Sequence, residues 1–442
     1  MVHSGATRAF GILSVVFFVS CGGRAARPGV DEVGAGGNSA NFGGTGAASN
    51  PSDAGAGRGG VPGAGAQGGS QAGSSTGGTV SAGSPGMGGQ AGDASSGIGV
   101  LKDYLDDSAY PDDFWHPALA SEVNMDPSLL QQAVDGVATS QSEIHSFLIA
   151  RNGFLVMERY GWNSGLTGGD PNPNPRQELP SSRHVMHSTT KSFLSALIGI
   201  AIDEGEIPDG VGSKAADWFP DYADLNPSAE KSSITLADLL TMRSGLDFTE
   251  GDQSIFVAPD PARAMLSRPV VDLPVGTVWN YSSGGSEIIA EILRLATGMT
   301  PLEYGQAKLF GPIGIANPPW AAGATGTQHG GIGLELTARE MARFGELFRN
   351  RGTWGVQQVV PEAWTDESTL GRCASDWGHD YAYHWWISNV PGFFNTNGSF
   401  GQFIFVSRSL GLVVVFTGNL SNEIAYSVYE DLLRNYIVPA AH

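Results

Sequence analysis

The sequence predicts an α+β fold in which both ends of the folded region complete one sheet and a helical subdomain is inserted between them. Strand-like apolar runs occur near residues 144–160 and again near residues 384–417. The segment between these runs is dominated by helical patterns. Residues 29–99 are mostly Gly, Ala and Ser, so they cannot form a second core.

The first elements of the folded region are predicted to be a helix and a β-hairpin. A helical pattern covers residues 127–137. Two apolar runs, residues 144–150 and 154–160, then flank Asn152-Gly153, which is the strongest short hairpin signal. Residues 163–182 follow as a long loop rich in Pro, Gly and Asn, either a lid or a variable surface loop.

Helices are predicted through the middle of the chain, and strands return at the end. Three helical patterns end at glycine or proline stop signals, and a fourth has an apolar stripe. The predicted helices are residues 236–242, 283–296, 301–310 and 337–349. The later strands are predicted at residues 384–388, 401–406 and 412–417, with a closing helix at 423–436.

Three regions are predicted along the whole chain. Residues 1–20 have the pattern of an export signal, because Arg8 precedes an apolar run too short to span a bilayer. A small residue before Cys21 resembles a bacterial lipoprotein cleavage site, which predicts a lipid anchor at Cys21; ordinary secretion is the alternative. Residues 21–99 would be a flexible tether and residues 100–442 the folded domain. Because no inner-membrane retention aspartate follows Cys21, the resemblance favours the outer membrane, facing the periplasm or the surface.

The most informative pair of residues is Ser188 and Lys191. They open a segment that is apolar all round, which predicts a buried helix with Ser188 at its N-cap or first turn. The helix N-terminus favours an alkoxide, and burial lowers the pKa of a lysine one turn away. The pair can therefore form an activated nucleophile. The alternative is a capping serine beside a surface-directed Lys191. Ser228 and Lys231 repeat the spacing in a polar segment, which predicts a solvated turn.

Two later segments offer further parts of a site. Tyr281 precedes a predicted helix and could act as a general base if a nearby lysine lowered its pKa; packing is its alternative role. Gly401 and Gln402 lead into a predicted strand, where a backbone N–H could complete an oxyanion hole with that of Ser188. A plain hairpin turn is the alternative there. An aromatic cluster within residues 377–394 indicates core packing or an acyl-pocket wall.

Composition excludes several classes of function. The formal net charge of −20 argues against nucleic-acid partners and against a basic membrane-binding face, so membrane contact is expected only through the lipid anchor. With only Cys21 and Cys373, a disulfide framework and a cysteine-type zinc site are excluded. His329 and His379 lack the spacing of a metal site, so no metal and no cofactor are expected. A Ser-His-Asp triad through His184 or His187 is disfavoured, because the chain has no Gly-x-Ser-x-Gly elbow.

Four motifs, in order, resemble the serine β-lactamase-like superfamily. They are Ser188 to Lys191, residues 234–246, Tyr281 to Ser283, and Gly401-Gln402 before a final strand. The sequence is most similar to class C β-lactamase-related esterases and 6-aminohexanoate-dimer hydrolases, over residues 140–436. The resemblance implies an antiparallel sheet flanked by helices plus an all-helical region. It also implies that Ser188 is acylated, Lys191 and Tyr281 share proton transfer, water deacylates the enzyme, and Ser188 and Gln402 supply the oxyanion hole.

Two departures from the family pattern bear on the substrate. The family's Tyr-x-Asn ends here in Ser283, whose hydroxyl replaces an amide that would hold a substrate carbonyl. The family's Lys-Thr-Gly is Ser399, Phe400 and Gly401, without a cation. The missing cation favours esters and uncharged amides over substrates that carry a carboxylate.

The expected function is a serine hydrolase that acts through an acyl-enzyme on a small ester or amide. A β-lactamase or D,D-peptidase is one alternative. A catalytically silent binder of cell-wall fragments is another. The sequence does not indicate an oligomeric state.

Overall fold

The computed structural model describes residues 115–139, 143–161, 178–220 and 227–441. The predicted signal, the tether, Cys21 and most of the predicted loop at 163–182 lie outside these ranges. Among the described residues, no helix is long and apolar enough to cross a membrane.

The strands of the described region, numbered in chain order, are between 2 and 8 residues long. They are β1 (His116–Pro117), β2 (Ile144–Arg151), β3 (Phe154–Tyr160), β4 (Arg183–Val185), β5 (Glu335–Thr337), β6 (Thr353–Trp354), β7 (Gln357–Gln358), β8 (Cys373–Ala374), β9 (Asp380–Tyr381), β10 (Trp386–Ile387), β11 (Phe394–Gly398), β12 (Gln402–Ser407) and β13 (Leu412–Gly418).

The helices lie mostly between β4 and β5 and after β5. They are α1 (Pro127–Thr139), α2 (Thr190–Asp203), α3 (Ala229–Ser233), α4 (Leu236–Leu240), α5 (Pro261–Leu266), α6 (Ser283–Thr297), α7 (Pro301–Gly305), α8 (Ala338–Arg349), α9 (Glu362–Ser368), α10 (Asn422–Leu432) and α11 (Val438–Ala440). Single π-helical segments, Gln306–Phe310 and Leu433–Ile437, continue α7 and α10.

Nine strands form the main sheet, in the order β1-β3-β2-β13-β12-β11-β10-β9-β8. All its pairs are antiparallel except β1 with β3. Because β2 pairs with β13, the two ends of the folded region meet inside one sheet. The predicted α+β fold, an antiparallel sheet with helices inserted between its two halves, is confirmed.

The sheet separates two cores. On one face, side chains of β2, β12 and β13 pack with α1 and α10; Phe416 stacks on Tyr429 with ring centroids 4.0 Å apart. The other face packs against α8, where Gly345 brings the helix close to Val413 and Ile404. Behind α8 lies α2, whose Phe193 stacks on Phe344 with centroids 3.7 Å apart.

Most predicted elements are found, and one strand is shorter than predicted. The hairpin turns at Asn152 and Gly153, whose φ angles of 51° and 87° fit a type I′ turn. The strand expected over residues 384–388 is reduced to Trp386–Ile387. His384 interrupts it, because its φ of 60° is left-handed and its N–H donates to the carbonyl of Leu240 instead of a sheet partner.

Candidate active site

Ser188 lies in a 3₁₀ turn, His187–Thr189, that leads directly into α2. The residues of α2 from Thr190 to Ala201 are all buried, which confirms the predicted central helix. The Thr189 hydroxyl donates to the carbonyl of Gln402 at 2.8 Å, so the turn that carries Ser188 is fastened to the start of β12. Ser188 itself is half-buried and accessible to a substrate.

Lys191 is 1% exposed and bonds to three groups. Its Nζ donates to Ser188 Oγ at 3.0 Å, to Ser283 Oγ at 2.8 Å and to the carbonyl of Gly331 at 3.0 Å. These acceptors take the three protons of an ammonium. Burial lowers the pKa of Lys191 to about 8, while the charges of Glu250 and Glu287 act in the opposite direction. Near pH 8 half of these lysines are therefore neutral amines beside the Ser188 hydroxyl.

Glu250 is a residue of the candidate site that the sequence did not indicate. Its carboxylate accepts from the Ser283 hydroxyl at 2.6 Å and from the Ser283 N–H at 3.0 Å. Because the Ser283 proton is committed to Glu250, the hydroxyl oxygen is free to accept from Lys191. Ser188, Lys191, Ser283 and Glu250 thus form one continuous hydrogen-bonded chain.

A second carboxylate, Glu287 on α6, binds Gly331, whose carbonyl is the third acceptor of Lys191. It accepts from the N–H of Gly331 at 3.3 Å and lies 3.0 Å from Nδ1 of His329. A side chain at Gly331 would press on Lys191, since a Cβ there would lie 3.3 Å from Nζ. The sequence placed His329 in a loop but gave no signal that its neighbour Gly331 contacts Lys191.

Tyr281 reaches Ser188 as predicted, but its phenol is less acidic than predicted. Its hydroxyl hydrogen-bonds to Ser188, and its ring centroid lies 4.9 Å from Lys191 Nζ. Burial, followed by the charge of Glu250, raises the pKa of Tyr281 well above 10. The hydrogen bond with Ser188 acts in the opposite direction, but desolvation of the phenolate outweighs it. Tyr281 is therefore a neutral hydroxyl in the resting site.

The turn between β11 and β12 holds the remaining predicted residues. Ser399 is half-buried, and Phe400 and Gly401 have left-handed φ angles of 65° and 91°. Only glycine fits at 401, because a Cβ would lie 2.6 Å from the Tyr429 hydroxyl. Gln402 pairs with Gly398 across the two strands. The role of its N–H as an oxyanion donor stays a prediction.

Tyr281 belongs to a cluster of aromatic rings that also includes Trp279, Trp377, Tyr381 and Trp386. Tyr381 and Trp386 are buried. They therefore belong to the core, which was one of the two roles predicted for this cluster. Trp377 is 42% exposed and its ring centroid lies 4.9 Å from that of Tyr281. This indole forms an accessible apolar surface beside Tyr281.

The competing residues are used elsewhere. Ser228 caps α3, and the predicted solvated turn is wrong because Lys231 is buried and donates to the carbonyl of Leu266 at 2.6 Å. His184 lies 3.3 Å from the Thr417 hydroxyl. Burial and the charge of Lys191 lower the pKa of His187 to about 4, so it is a much weaker base than Lys191.

Comparison with known proteins agrees with this arrangement. The family model described as Beta-lactamase matches residues 124–437. Penicillin-binding protein 4 of Amycolatopsis lactamdurans is 26% identical, over 57% of this chain and 75% of that protein. The 6-aminohexanoate-dimer hydrolase of Paenarthrobacter ureafaciens is 22% identical, over 53% of this chain and 66% of that protein.

A solved structure extends the likeness to the fold. A Bacillus anthracis protein named for 6-aminohexanoate-dimer hydrolase activity aligns with a TM-score of 0.58 and 25% identity, over 74% of this chain and 87% of its own. The Beta-lactamase match spans well over half of the chain. The chain therefore belongs to the Beta-lactamase family and is a serine hydrolase of the serine β-lactamase-like superfamily.

Proposed function

We propose that Ser188 is the nucleophile of this hydrolase and that Lys191 is its proton acceptor. The observation that carries the proposal is the 3.0 Å contact between Lys191 Nζ and Ser188 Oγ in a site where the pKa of the lysine is about 8. The neutral amine takes the Ser188 proton as Oγ attacks the substrate carbonyl. The resulting tetrahedral oxyanion is stabilised by backbone N–H groups, with those of Ser188 and Gln402 as the expected donors.

Tyr281 acts in this proposal as a proton relay. Its raised pKa keeps the phenol protonated, and its hydrogen bond with Ser188 holds the phenol at the reacting centre. Tyr281 protonates the leaving alkoxide or amine and recovers a proton from the Lys191 ammonium. Water then attacks the acyl-enzyme carbonyl and gives its proton to Lys191 through Tyr281. The bond between the carbonyl carbon and Ser188 Oγ breaks, and the Lys191 ammonium returns the proton to Ser188 Oγ as the acid leaves.

The proposed substrates are small esters and amides without a carboxylate near the scissile bond. The turn at 399–401 has no cation, and the Glu250 carboxylate lies 2.6 Å from Ser283 Oγ, where it would repel an anionic substrate. Ser283 is engaged by both Lys191 and Glu250, so it is not free to hold a substrate amide. The exposed indole of Trp377 offers apolar contact to an acyl or alcohol group instead.

A fluorophosphonate probe and p-nitrophenyl butyrate test the proposal. We expect labelling and a burst of nitrophenol that Ser188→Ala abolishes. Ser228→Ala is the matched control, because it alters the second Ser-x-x-Lys pair without touching this site, and it should retain both. Penicillin acylation with turnover faster than ester cleavage would favour the β-lactamase alternative. Folded protein that reacts with no probe would favour the silent binder.

We also propose export with lipid attachment at Cys21, which rests on the sequence pattern alone. In cells fed an alkynyl fatty acid, the protein should acquire the label and partition into detergent. Cys21→Ser should lose both properties, whereas Cys373→Ser should keep them. An unlabelled wild-type protein in the medium would support ordinary secretion.

A further inference from the structure

A second cluster of chemically active side chains lies outside the Ser188 network. His145 on β2, Glu178 before β4 and His184 on β4 converge from three separate segments. Nδ1 of His145 lies 3.9 Å from one oxygen of Glu178, and Nε2 of His184 lies 3.4 Å from the other. The two imidazole centroids are 5.4 Å apart. Each carboxylate oxygen therefore faces an imidazole nitrogen.

We propose that His145, Glu178 and His184 bind a divalent transition-metal ion of the Zn²⁺ type. Two imidazoles and one carboxylate are a donor set that zinc commonly takes, with a water in the fourth position. The side chains are 9%, 1% and 7% exposed, so the ion would lie in the interior, where a buried anion gains most from a bound cation.

The distances between the donor atoms suit such an ion if the three side chains move slightly closer together. One ligand atom from each residue lies within 4.8 Å of the others. Zinc bonds of about 2.0 Å at tetrahedral angles place ligand atoms about 3.3 Å apart, so each separation needs to shrink by at most about 1.5 Å. At His184 Nε2 the ion would take the place of the 3.3 Å contact with the Thr417 hydroxyl, and Thr417 keeps its hydrogen bond to Ser146 at 2.9 Å.

The position of the cluster gives the ion a structural role. His184 lies on β4, and the chain continues from β4 directly into the turn that carries Ser188. A metal at this cluster would fix β4 to the centre of the sheet through His145. None of its ligands bonds to Lys191, Ser283 or Glu250, so the hydrolytic chemistry stays metal-independent. The proposal departs from the sequence expectation that the chain binds no metal.

Metal retention by the untagged full-length protein tests the site. After equilibration with ZnCl₂ and dialysis, elemental analysis should give about one Zn²⁺ per chain, and Co²⁺ should give the strong visible bands of a tetrahedral site. Zn²⁺ should also raise the melting temperature. Wild-type protein that retains no metal, or that gives only octahedral Co²⁺ spectra, would overturn the proposal whether or not any variant folds.

Three variants locate the ion. Loss of a supporting group costs a metal site about 10–100-fold in affinity, so losing a ligand in His145→Gln or Glu178→Gln should cost at least about 100-fold. His379→Gln is the matched control, since His379 lies 4.0 Å from Glu430 in a buried pair that lacks a second imidazole. It should bind like wild type. Equal loss in the control, or none in the two ligand variants, would place the metal elsewhere.

Discussion

At the scale of single residues, the proposed mechanism depends on the protonation state of Lys191. Its ammonium is held by three acceptors and two nearby carboxylates, yet burial still lowers its pKa to about 8. Tyr281 changes in the opposite direction, because burial raises the pKa of a phenol for the same reason that it lowers that of an amine. The two groups therefore rest as a partly neutral amine and a neutral phenol.

The pH dependence of acylation follows from the lysine. Since the neutral amine is the base, kcat/KM for p-nitrophenyl butyrate should rise with pH through an apparent pKa near 8 and level off above it. Below that pH, activity should fall about tenfold per pH unit. Stopped-flow rates between pH 5.5 and 9.5 measure this profile. A rate independent of pH from 6 to 9 would contradict Lys191 as the titrating base.

The charge of Glu250 should shift the pH dependence of kcat/KM. Its charge favours the ammonium form of Lys191, so Glu250→Gln should lower the pKa of the lysine and move the rising limb about 1 unit toward acid. The amide oxygen can still accept one of the two hydrogen bonds that Ser283 donates to Glu250, so the change removes the charge and one hydrogen bond. Glu230→Gln, an exposed carboxylate outside the site, is the control. A limb that moves toward alkaline pH would contradict the assignment.

At the scale of elements, Gly199 allows α2 to pack closely against α9, because glycine has no side chain. A Cβ on Gly199 would lie 2.1 Å from the indole of Trp364 on α9. Because α2 carries Lys191 and follows directly on the turn that carries Ser188, a shift of this helix moves both residues of the proposed pair. The packing of a glycine thus helps to position them.

Gly199→Ala should destabilise the protein by about 1–3 kcal/mol through overpacking, despite the better helix propensity of alanine. Gly136→Ala is the matched control on α1, where a Cβ would meet only Leu432 at 3.9 Å. It should be neutral or stabilising by up to about 1 kcal/mol. Urea unfolding measures both. Equal stability of the two variants would show that Trp364 moves aside freely.

Elements with local signals were predicted from the sequence, and elements that depend on distant partners were not. The helix predicted over residues 283–296 is α6 (Ser283–Thr297), because Ser282 caps it and Gly298 ends it. The strand at His384 was overestimated, since its backbone is bent by a bond to Leu240 that no local pattern reveals.

The site residues divide in the same way, into those with a local sequence signal and those that depend on distant partners. Ser188 and Lys191 are one helical turn apart at the start of an apolar segment, and these two signals together predicted the pair. The same spacing at Ser228 and Lys231 gives no such pair, because Lys231 donates to the carbonyl of Leu266.

Glu250 and Gly331 reach Lys191 only through tertiary structure, and neither stands in a recognisable motif. The pKa of Tyr281 could not be predicted, because its direction depends on how deeply the phenol is buried.

At the scale of the whole molecule, the hydrolase should work without its Gly-rich region. The family match runs from 124 to 437 and contains every proposed site residue. A chain shortened to residues 100–442 should therefore fold with unchanged kcat/KM, as circular dichroism and ester hydrolysis would show. A chain that also lacks β1, β2 and β3 is the control, and it should not fold because β2 fills the middle of the sheet. An insoluble 100–442 chain would contradict this prediction.

The pairing of β2 with β13 also sets the order of events during synthesis. The ribosome must release residue 418 before the middle of the sheet has both of its strands. Long-range pairs of this kind form slowly, because closing a long loop costs entropy before contacts repay it. A nascent chain therefore cannot complete this sheet until translation is nearly finished. That delay suits the proposed export, because a narrow secretion channel passes only unfolded segments.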